Sequence, residues 1–434
     1  MYSFLIGEIQ NDLAGRLFQF SDRVPVVFWV LPIFYLAGTL FISSTKYSFF
    51  LVPSYLFLCL FSVSTSEAIG PAATLARWWL IVCFCIAAAI RSGPPGTVCR
   101  MLGFYWAFSL VTCLWSPSLA HGIQSSGLAF LLTYIGSRGL AGMLSNTGQI
   151  RKVFLLFAGM SPALIAISVA GLSSLTGGRY AGGMAESYGL FVITGGLLMP
   201  TLLWCFFSCR GRVRFFYGLS FLFLMPLLLL SAQRTGFFAG VIACIPMLMQ
   251  FSFRRILYAS MISGGVLIVG VIALNFFPEQ KMFIQKRFFV ESEGGGMMIS
   301  TNTTNRTDRW TSAIEKIGDR PFIGYGASAH REAGFGGFHN AYLQEWYNGG
   351  ILGVVLFFGA SVVALWKSFR LLGSAVLSAK DRYLCRLLFS LMLFLILVSF
   401  FESKLASPSN IMVFVMVLVG VSILRLEQVS NRWV

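Results

Sequence analysis

Long apolar runs alternate with short polar links along this chain. Runs of about 20 residues that are apolar on every face predict helices that cross a lipid bilayer. One polar stretch, 277–349, is far longer than the other links and contains two of the three histidines. The predicted spans cover roughly 24–43, 48–65, 73–91, 101–116, 123–143, 152–175, 188–209, 214–231, 237–251, 255–276, 350–369, 384–402 and 409–425.

Composition supports a membrane protein. Of the 434 residues, 57% are hydrophobic and only 11% are charged, whereas a soluble domain carries about 25% charged residues. The net charge of +16 comes from basic residues in short links, which indicates topology and contact with membrane lipids rather than nucleic acid. We predict an all-α polytopic membrane protein with about 12–14 transmembrane helices, a single membrane domain over residues 1–434.

The basic links predict the orientation. They alternate along the chain, and the positive-inside rule places them in the cytoplasm, so the loop at 277–349 lies outside. Thirteen spans with a cytoplasmic C-terminus leave the N-terminus outside, so the number of spans stays open, and 123–143 is the weakest. The basic links contain Lys46, Arg91, Arg100, Arg151, Lys152, Arg210, Arg212, Arg214, Arg254, Arg255, Lys367, Arg370, Lys380, Arg382 and Arg425.

Two short helices are predicted within the long loop. The first begins at Thr307, places Trp310, Ala313, Ile314 and Ile317 on one face, and ends at Gly318. The second begins near His339, carries Leu343 and Trp346 on its face, and stops at Gly349-Gly350, where the next span begins.

The predicted position of His339 has chemical consequences. A helix N-terminus disfavours the imidazolium, so the ring is expected to stay neutral and able to accept a proton. General-base catalysis needs such a group. The alternative is a histidine that only hydrogen-bonds within the loop. His330, beside Arg331 and Glu332, is expected to be solvated.

Three arginines on the outer side suggest a phosphate site. Arg179 lies in TGGRYAGG and Arg234 in SAQRTG, while Arg309 opens the first loop helix. Nearby glycines let the backbone approach a ligand, and guanidinium binds phosphate oxygens as a fork. The alternative for each is a snorkelling anchor at the membrane edge. The sequence contains no HxxxH or CxxC pair, so we expect no metal or cofactor.

Short motifs on the outer side occur in a characteristic order. They are Arg179 in its glycine-rich loop, Ser231-x-x-Arg234-Thr-Gly236, Arg309-Trp310, Pro321-x-x-Gly324-x-Gly326, His339-Asn340-x-Tyr342-Leu343-Gln344 and Gly350-Ile351-Leu352-Gly353. Over roughly residues 175–355, this order resembles the bacterial O-antigen ligase and O-antigen or exopolysaccharide polymerase family. One departure is Gln233-Arg234, where that family more usually has serine before the arginine.

The resemblance implies a metal-independent glycosyltransferase on the periplasmic face of a bacterial inner membrane. Its donor would be a saccharide on undecaprenyl diphosphate, transferred en bloc with inversion to a sugar hydroxyl. Arg179 and Arg234 would bind the diphosphate and stabilise its leaving charge, and His339 would deprotonate the acceptor. Arg309, Asn340 and Tyr342 would shape the substrate site.

Several functions remain open at this stage. The glycine-rich loop 177–183 favours a repeat-unit polymerase, with a lipid-linked repeat unit as acceptor and a chain-length regulator as a partner. The alternative within the family is a ligase that transfers the glycan to lipid A–core. A transporter or flippase for the same lipid would need charged residues buried in mid-membrane and an inverted repeat, and the sequence indicates neither. A non-catalytic scaffold does not explain outer arginines beside a histidine.

Overall fold

The protein is built almost entirely of helices that pack side by side. Our computed structural model describes residues 50–61, 69–170, 188–230, 234–249, 264, 289–291, 297–299, 304–332, 338–403 and 411–431. The helices are α1 Leu51–Phe61, α2 Ile69–Ile90, α3 Thr97–Thr112, α4 Leu119–Phe130, α5 Ser137–Met143, α6 Thr147–Gly159, α7 Ser161–Ala170, α8 Tyr188–Ser208, α9 Gly211–Leu230, α10 Arg234–Leu248, α11 Thr304–Asp319, α12 Ala341–Leu372, α13 Ala379–Ser399 and α14 Ile411–Asn431.

Within the described residues, seven helical segments are long and apolar enough to cross a membrane. This finding confirms a polytopic all-α membrane protein. The predicted spans at 24–43 and 255–276 lie outside the described residues, apart from residue 264, so the expected total of 12–14 stays a prediction. The seven segments are Thr97–Trp115, Thr147–Ala166, Phe191–Ser208, Gly211–Leu229, Ala341–Leu372, Ala379–Ser399 and Ile411–Asn431.

The weakest predicted span, 123–143, is helical but interrupted. α4 continues into a π-helical turn, Leu131–Gly136, and then into α5. A π-helical turn leaves the backbone out of the i to i−4 pattern, and the thiol of Cys85 donates to the Leu131 carbonyl within it. This segment is not among the seven membrane-crossing candidates of the described residues.

The centre of the bundle is α14, whose side chains are buried nearly all round from Ile411 to Ile423. A helix that is apolar on every face belongs in the interior. Tyr55 of α1 and Phe84 of α2 both stack on Phe414 of α14, with ring centroids 4.2 and 5.8 Å away. The aromatic contacts fix these three helices relative to one another.

Two predicted helices of the long loop are confirmed. α11 begins at Thr304, three residues before the prediction, and buries Ala313 and Ile317. Ile314, which was predicted on the same face, is 53% exposed, because it lies one residue round the helix from Ala313 and away from the second loop helix. The second helix occupies the first part of α12, which is broken at Gly350, where the backbone has φ 64°. We call residues 341–349 the short loop helix and residues 351–372 the last-loop span. A small antiparallel strand pair, Phe289–Glu291 (β1) with Met297–Ile299 (β2), is added to the helical fold.

The two ends of the bundle differ in character. Short connections make neighbouring helices antiparallel, so the end of α13 and the beginning of the last-loop span lie on one side, which we call the loop side. Ion pairs join helices at the opposite end, where Arg151 pairs with Asp381 and Lys367 with Glu427 at 2.7 Å. These basic residues belong to the links that were predicted to be cytoplasmic.

Candidate active site

His339 immediately precedes the short loop helix, as predicted. Its backbone has φ 51°, an uncommon conformation for a residue with a side chain. Asn340 caps the helix, since its side-chain oxygen accepts hydrogen bonds from the backbone amides of Tyr342 and Leu343, both at 3.0 Å. The imidazole is 39% exposed. The ring is therefore held at a helix N-terminus and open to a ligand.

Glu402 lies behind the imidazole. Its carboxylate oxygen Oε2 is 3.8 Å from Nδ1 of His339, and its side chain is only 7% exposed. The other carboxylate oxygen, Oε1, lies 3.8 Å from the guanidinium of Arg306 on α11. A buried carboxylate thus joins the histidine to an arginine of the loop.

Sequence reasoning did not assign roles to Glu402 and Arg306. Glu402 is 63 positions from His339, so no local spacing connects the two residues. Arg309 had been chosen as the loop arginine of the site, and it lies half-buried on α11, one turn beyond Arg306. The chain returns to the loop side along α13, and this return places Glu402 next to both Arg306 and His339.

The loop before His339 is fastened to the short loop helix by backbone hydrogen bonds. The amides of Tyr325 and Gly326 donate to the carbonyls of Tyr347 and Asn348, both at 2.8 Å. Gly326 has φ 102°, and an added Cβ there would meet the backbone of Ser116. A larger residue would therefore push the loop away from Ser116 in the link after α3, so close packing requires a glycine here.

The indole of Trp310 holds the backbone next to His339. The Trp310 Nε1–H donates to the Phe338 carbonyl at 2.8 Å, directly before His339. Leu343, Trp346 and Tyr347 of the short loop helix belong to or border a small apolar cluster with Ala313 of α11. The predicted apolar faces of both loop helices thus meet each other, and their contact fixes the backbone that carries the imidazole.

Asn340 and Tyr342 have structural partners. The Asn340 side chain caps the helix, as described, and the Tyr342 hydroxyl donates to the Ile396 carbonyl of α13 at 3.2 Å. The Tyr342 ring packs edge-on against Phe358 and tilted against Phe400, at 4.9 and 4.7 Å. These contacts join α12 to α13, and a role of either residue in substrate binding stays a prediction.

Arg234 is the first residue of α10. Gly236 of α10 and Phe394 of α13 both lie against Gly196 of α8, so the beginning of α10 and the end of α13 are at the same side of the bundle. Arg234 therefore stands on the loop side, as does His339. Arg179 lies outside the described residues.

A buried hydrogen bond joins the short loop helix to α3. The Tyr105 hydroxyl of α3 donates to Oε2 of Glu345, and these residues are 2% and 4% exposed. Asn348 also hydrogen-bonds the Glu345 carboxyl. A buried polar group is costly unless it is paired, so this cluster holds the short loop helix against α3.

Removing this contact should weaken the fold. We expect Glu345→Ala to cost ~1–3 kcal/mol of stability, because the Tyr105 hydroxyl would lose its buried acceptor. The measurement is thermal unfolding of the purified protein, with Glu315→Ala on the exposed side of α11 as the matched control. An unchanged melting temperature for Glu345→Ala would show that the contact contributes little.

His330 is a correction to the sequence-based expectation of a solvated side chain. It is half-buried, and its Nδ1 lies 3.2 Å from Oδ1 of Asn348, which also accepts the His330 amide at 3.3 Å. Burial, with smaller contributions from nearby Arg331 and His121, lowers the pKa of His330 to about 4 against the opposing effect of the Asn348 hydrogen bond. The ring therefore stays neutral at neutral pH.

A pH dependence of stability follows from His330. Its pKa is about 4 in the folded protein and about 6.5 in an unfolded chain, so the unfolded state binds the proton more readily. We expect the contribution of His330 to the free energy of unfolding to be fully present above about pH 6.5 and to be lost as the pH falls towards 4. Melting temperatures measured over this range should fall less steeply for His330→Gln than for the wild type. Identical slopes would contradict this assignment.

Arg77 is a buried charged residue, and a transporter was expected to need charged residues buried in mid-membrane. It lies on α2, is 6% exposed, and interacts with Tyr55 and Cys59 of α1. The apolar segment of α2 begins at Ala76, so Arg77 is its second residue and lies at one end of it. Arg77 therefore lies away from mid-membrane, and it does not contradict the expectation on which the argument against a transporter rests.

The fold and the site together define a polytopic membrane protein with a polar, histidine-bearing loop fastened to its loop side. Comparison with known protein families indicates which family the chain resembles. A protein-family model described as O-antigen ligase matches residues 219–358, which include Arg234, Arg309 and His339. The match supports the O-antigen ligase and polymerase family, as the sequence resemblance implied, and indicates glycosyl transfer of that type. The curated proteins contain no match to the chain.

Proposed function

We propose that the protein is a metal-independent, inverting glycosyltransferase on the periplasmic face of a bacterial inner membrane. It transfers a saccharide en bloc from undecaprenyl diphosphate to a sugar hydroxyl, and we favour a repeat-unit polymerase. The observation that carries the proposal is the exposed imidazole of His339 beside the buried carboxylate of Glu402. The family match supports the reaction class and the lipid-linked substrate at a coarse level.

The proposed reaction is a single displacement. The acceptor hydroxyl oxygen bonds to the anomeric carbon of the donor, and the bond from that carbon to the diphosphate oxygen breaks. The hydroxyl proton passes to His339, and the lipid diphosphate leaves with the electron pair. Attack opposite to the leaving group inverts the anomeric configuration.

Each side chain has a distinct part in this displacement. Because Nδ1 of His339 is on the side of Glu402, Nε2 is the nitrogen that takes the proton. The Glu402 carboxylate would stabilise the imidazolium that forms and hold the ring orientation. Arg234 and Arg179 would stabilise the charge that develops on the diphosphate, and Arg309 of α11 would help to shape the substrate site.

Replacing Glu402 tests its support of the base. We expect Glu402→Gln to lower the turnover of glycan transfer about 10- to 100-fold with little change in donor KM, because the amide lacks the charge that stabilises the imidazolium. Single-turnover rates with lipid-linked donor provide the measurement. A variant that turns over at the wild-type rate would remove Glu402 from the mechanism.

A ligase is the second candidate, because the matched family model is described as O-antigen ligase. Glycan analysis of a bacterial strain that lacks the protein distinguishes the two. A polymerase predicts loss of long chains, with single repeat units still attached to core. A ligase predicts long chains that accumulate on the lipid carrier. Unchanged glycans in both places would contradict both.

A further inference from the structure

The turn at residues 321–323 is fixed to the start of the last-loop span. The Ile351 amide donates to the Pro321 carbonyl at 2.9 Å, and the Trp346 indole donates to the same oxygen at 3.1 Å. Gly350 has φ 64°, and a Cβ there would collide with the Phe322 carbonyl. The turn and the first residues of the span therefore move as one body.

The side chains of this turn are apolar and exposed. Phe322 is 71% exposed and Ile323 is 51% exposed. On the adjoining span, Leu352 and Val355 are 52% and 58% exposed. The span is a membrane-crossing candidate, so these two side chains are of the kind that contact lipid. The turn extends the same apolar surface beyond the end of the span.

The length of the span indicates that lipid reaches the turn. Lys367 and Arg370 mark its far end, where the Arg370 guanidinium lies over the Trp366 ring at 5.6 Å. The sixteen residues 351–366 rise about 24 Å at ~1.5 Å per residue. The hydrocarbon core is about 30 Å thick. Its loop-side boundary therefore lies above Ile351, at the level of the turn.

The groups above the turn suit the headgroup region. Lys316 and Arg320 lie on the exposed side at the end of α11 and just after it. The Arg320 guanidinium lies 5.2 Å from the centroid of the Tyr325 ring, and Tyr325 stacks on Tyr347 at 4.6 Å. Basic side chains and tyrosines concentrate at the interface between lipid and water.

We propose that residues 321–323 insert into the acyl-chain region of the loop-side leaflet and set the height of His339 above it. Nine residues, 341–349, separate the break at Gly350 from the cap at Asn340. They span at most about 14 Å at ~1.5 Å per residue. The anchored turn thus holds the imidazole within the zone of lipid headgroups, where a lipid-borne diphosphate would lie. Only this last statement rests on the proposed function.

Photo-crosslinking tests the inserted turn directly. Benzoylphenylalanine is placed at Phe322 in the full-length protein, which is reconstituted in bilayers of phosphatidylethanolamine and phosphatidylglycerol. Val355 serves as the lipid-facing control and Glu315, exposed on α11, as the water-facing control. We expect phospholipid adducts at 322 in an amount similar to that at 355, and none at 315. A parallel sample also contains polyprenyl phosphate. The proposal would be overturned if the probe at 322 formed adducts only with protein, formed adducts only with polyprenyl phosphate, or formed no adduct.

A functional comparison separates anchoring from catalysis. We expect Phe322→Asp to lower glycan transfer about tenfold in bilayers, because a charge is costly in the acyl region, but to leave the rate in detergent unchanged. Phe322→Leu should match the wild type in both. Equal loss in detergent would show that Phe322 acts within the site or the fold. If the wild-type protein transfers no glycan, the proposed function fails, and the crosslinking result still decides the anchor.

Discussion

His339→Asn should lower glycan transfer by at least about 100-fold, the usual range for loss of a general base. Asparagine is chosen because it tolerates the left-handed backbone that His339 adopts with φ 51°. The variant should therefore fold and insert normally while it lacks a group that accepts the acceptor proton near neutral pH. Turnover of a lipid-linked donor by the purified protein is the measurement.

A second substitution guards against a structural explanation. His339→Gly also suits the positive φ, and it removes the whole side chain. Both variants should bind donor with near wild-type affinity and unfold at or above the wild-type temperature. Substantial turnover by either variant would show that another group deprotonates the acceptor.

Arg234→Lys should give the second large loss, about 100-fold in turnover. Lysine keeps the charge but not the planar fork that binds two phosphate oxygens. If the guanidinium acts on charge that develops as the diphosphate leaves, kcat should fall more than KM rises. Rates at varied donor concentration separate the two effects.

Arg212→Lys is the matched control for this prediction. Arg212 is exposed near the start of α9, at the opposite end of the bundle from Arg234, and should tolerate the change. Wild-type turnover by Arg234→Lys would contradict a forked phosphate contact. A pure rise in KM would indicate that Arg234 binds donor equally in the ground state and the transition state.

The local features of the site were predictable from sequence because their signals are local. Asn340 is a good helix cap, and Gly349-Gly350 permits the break that ends the short loop helix. The apolar spacing of Trp310, Ala313 and Ile317 likewise predicted the buried face of α11. Such signals operate over one or two helical turns, so they can be read without knowledge of the fold.

The contacts between distant segments were not predictable in the same way. Glu402 approaches His339 only because α13 returns to the loop side, and Glu345 meets Tyr105 only because α12 packs on α3. The sequence around His330 has the polarity of a solvated turn, and its burial depends on the fold of the loop onto Asn348. Pairing across the bundle is a property of tertiary packing, and no local spacing indicates it.

The central claim is that this membrane protein transfers a lipid-linked saccharide with His339 as the base. The most direct test incubates the purified protein with a chemically defined polyprenyl-diphosphate saccharide and a sugar acceptor in the presence of a metal chelator. We predict stoichiometric release of polyprenyl diphosphate and a product of inverted anomeric configuration for the wild type, and neither for His339→Asn. Transfer that requires a divalent metal, retains configuration, or persists in His339→Asn would contradict the mechanism.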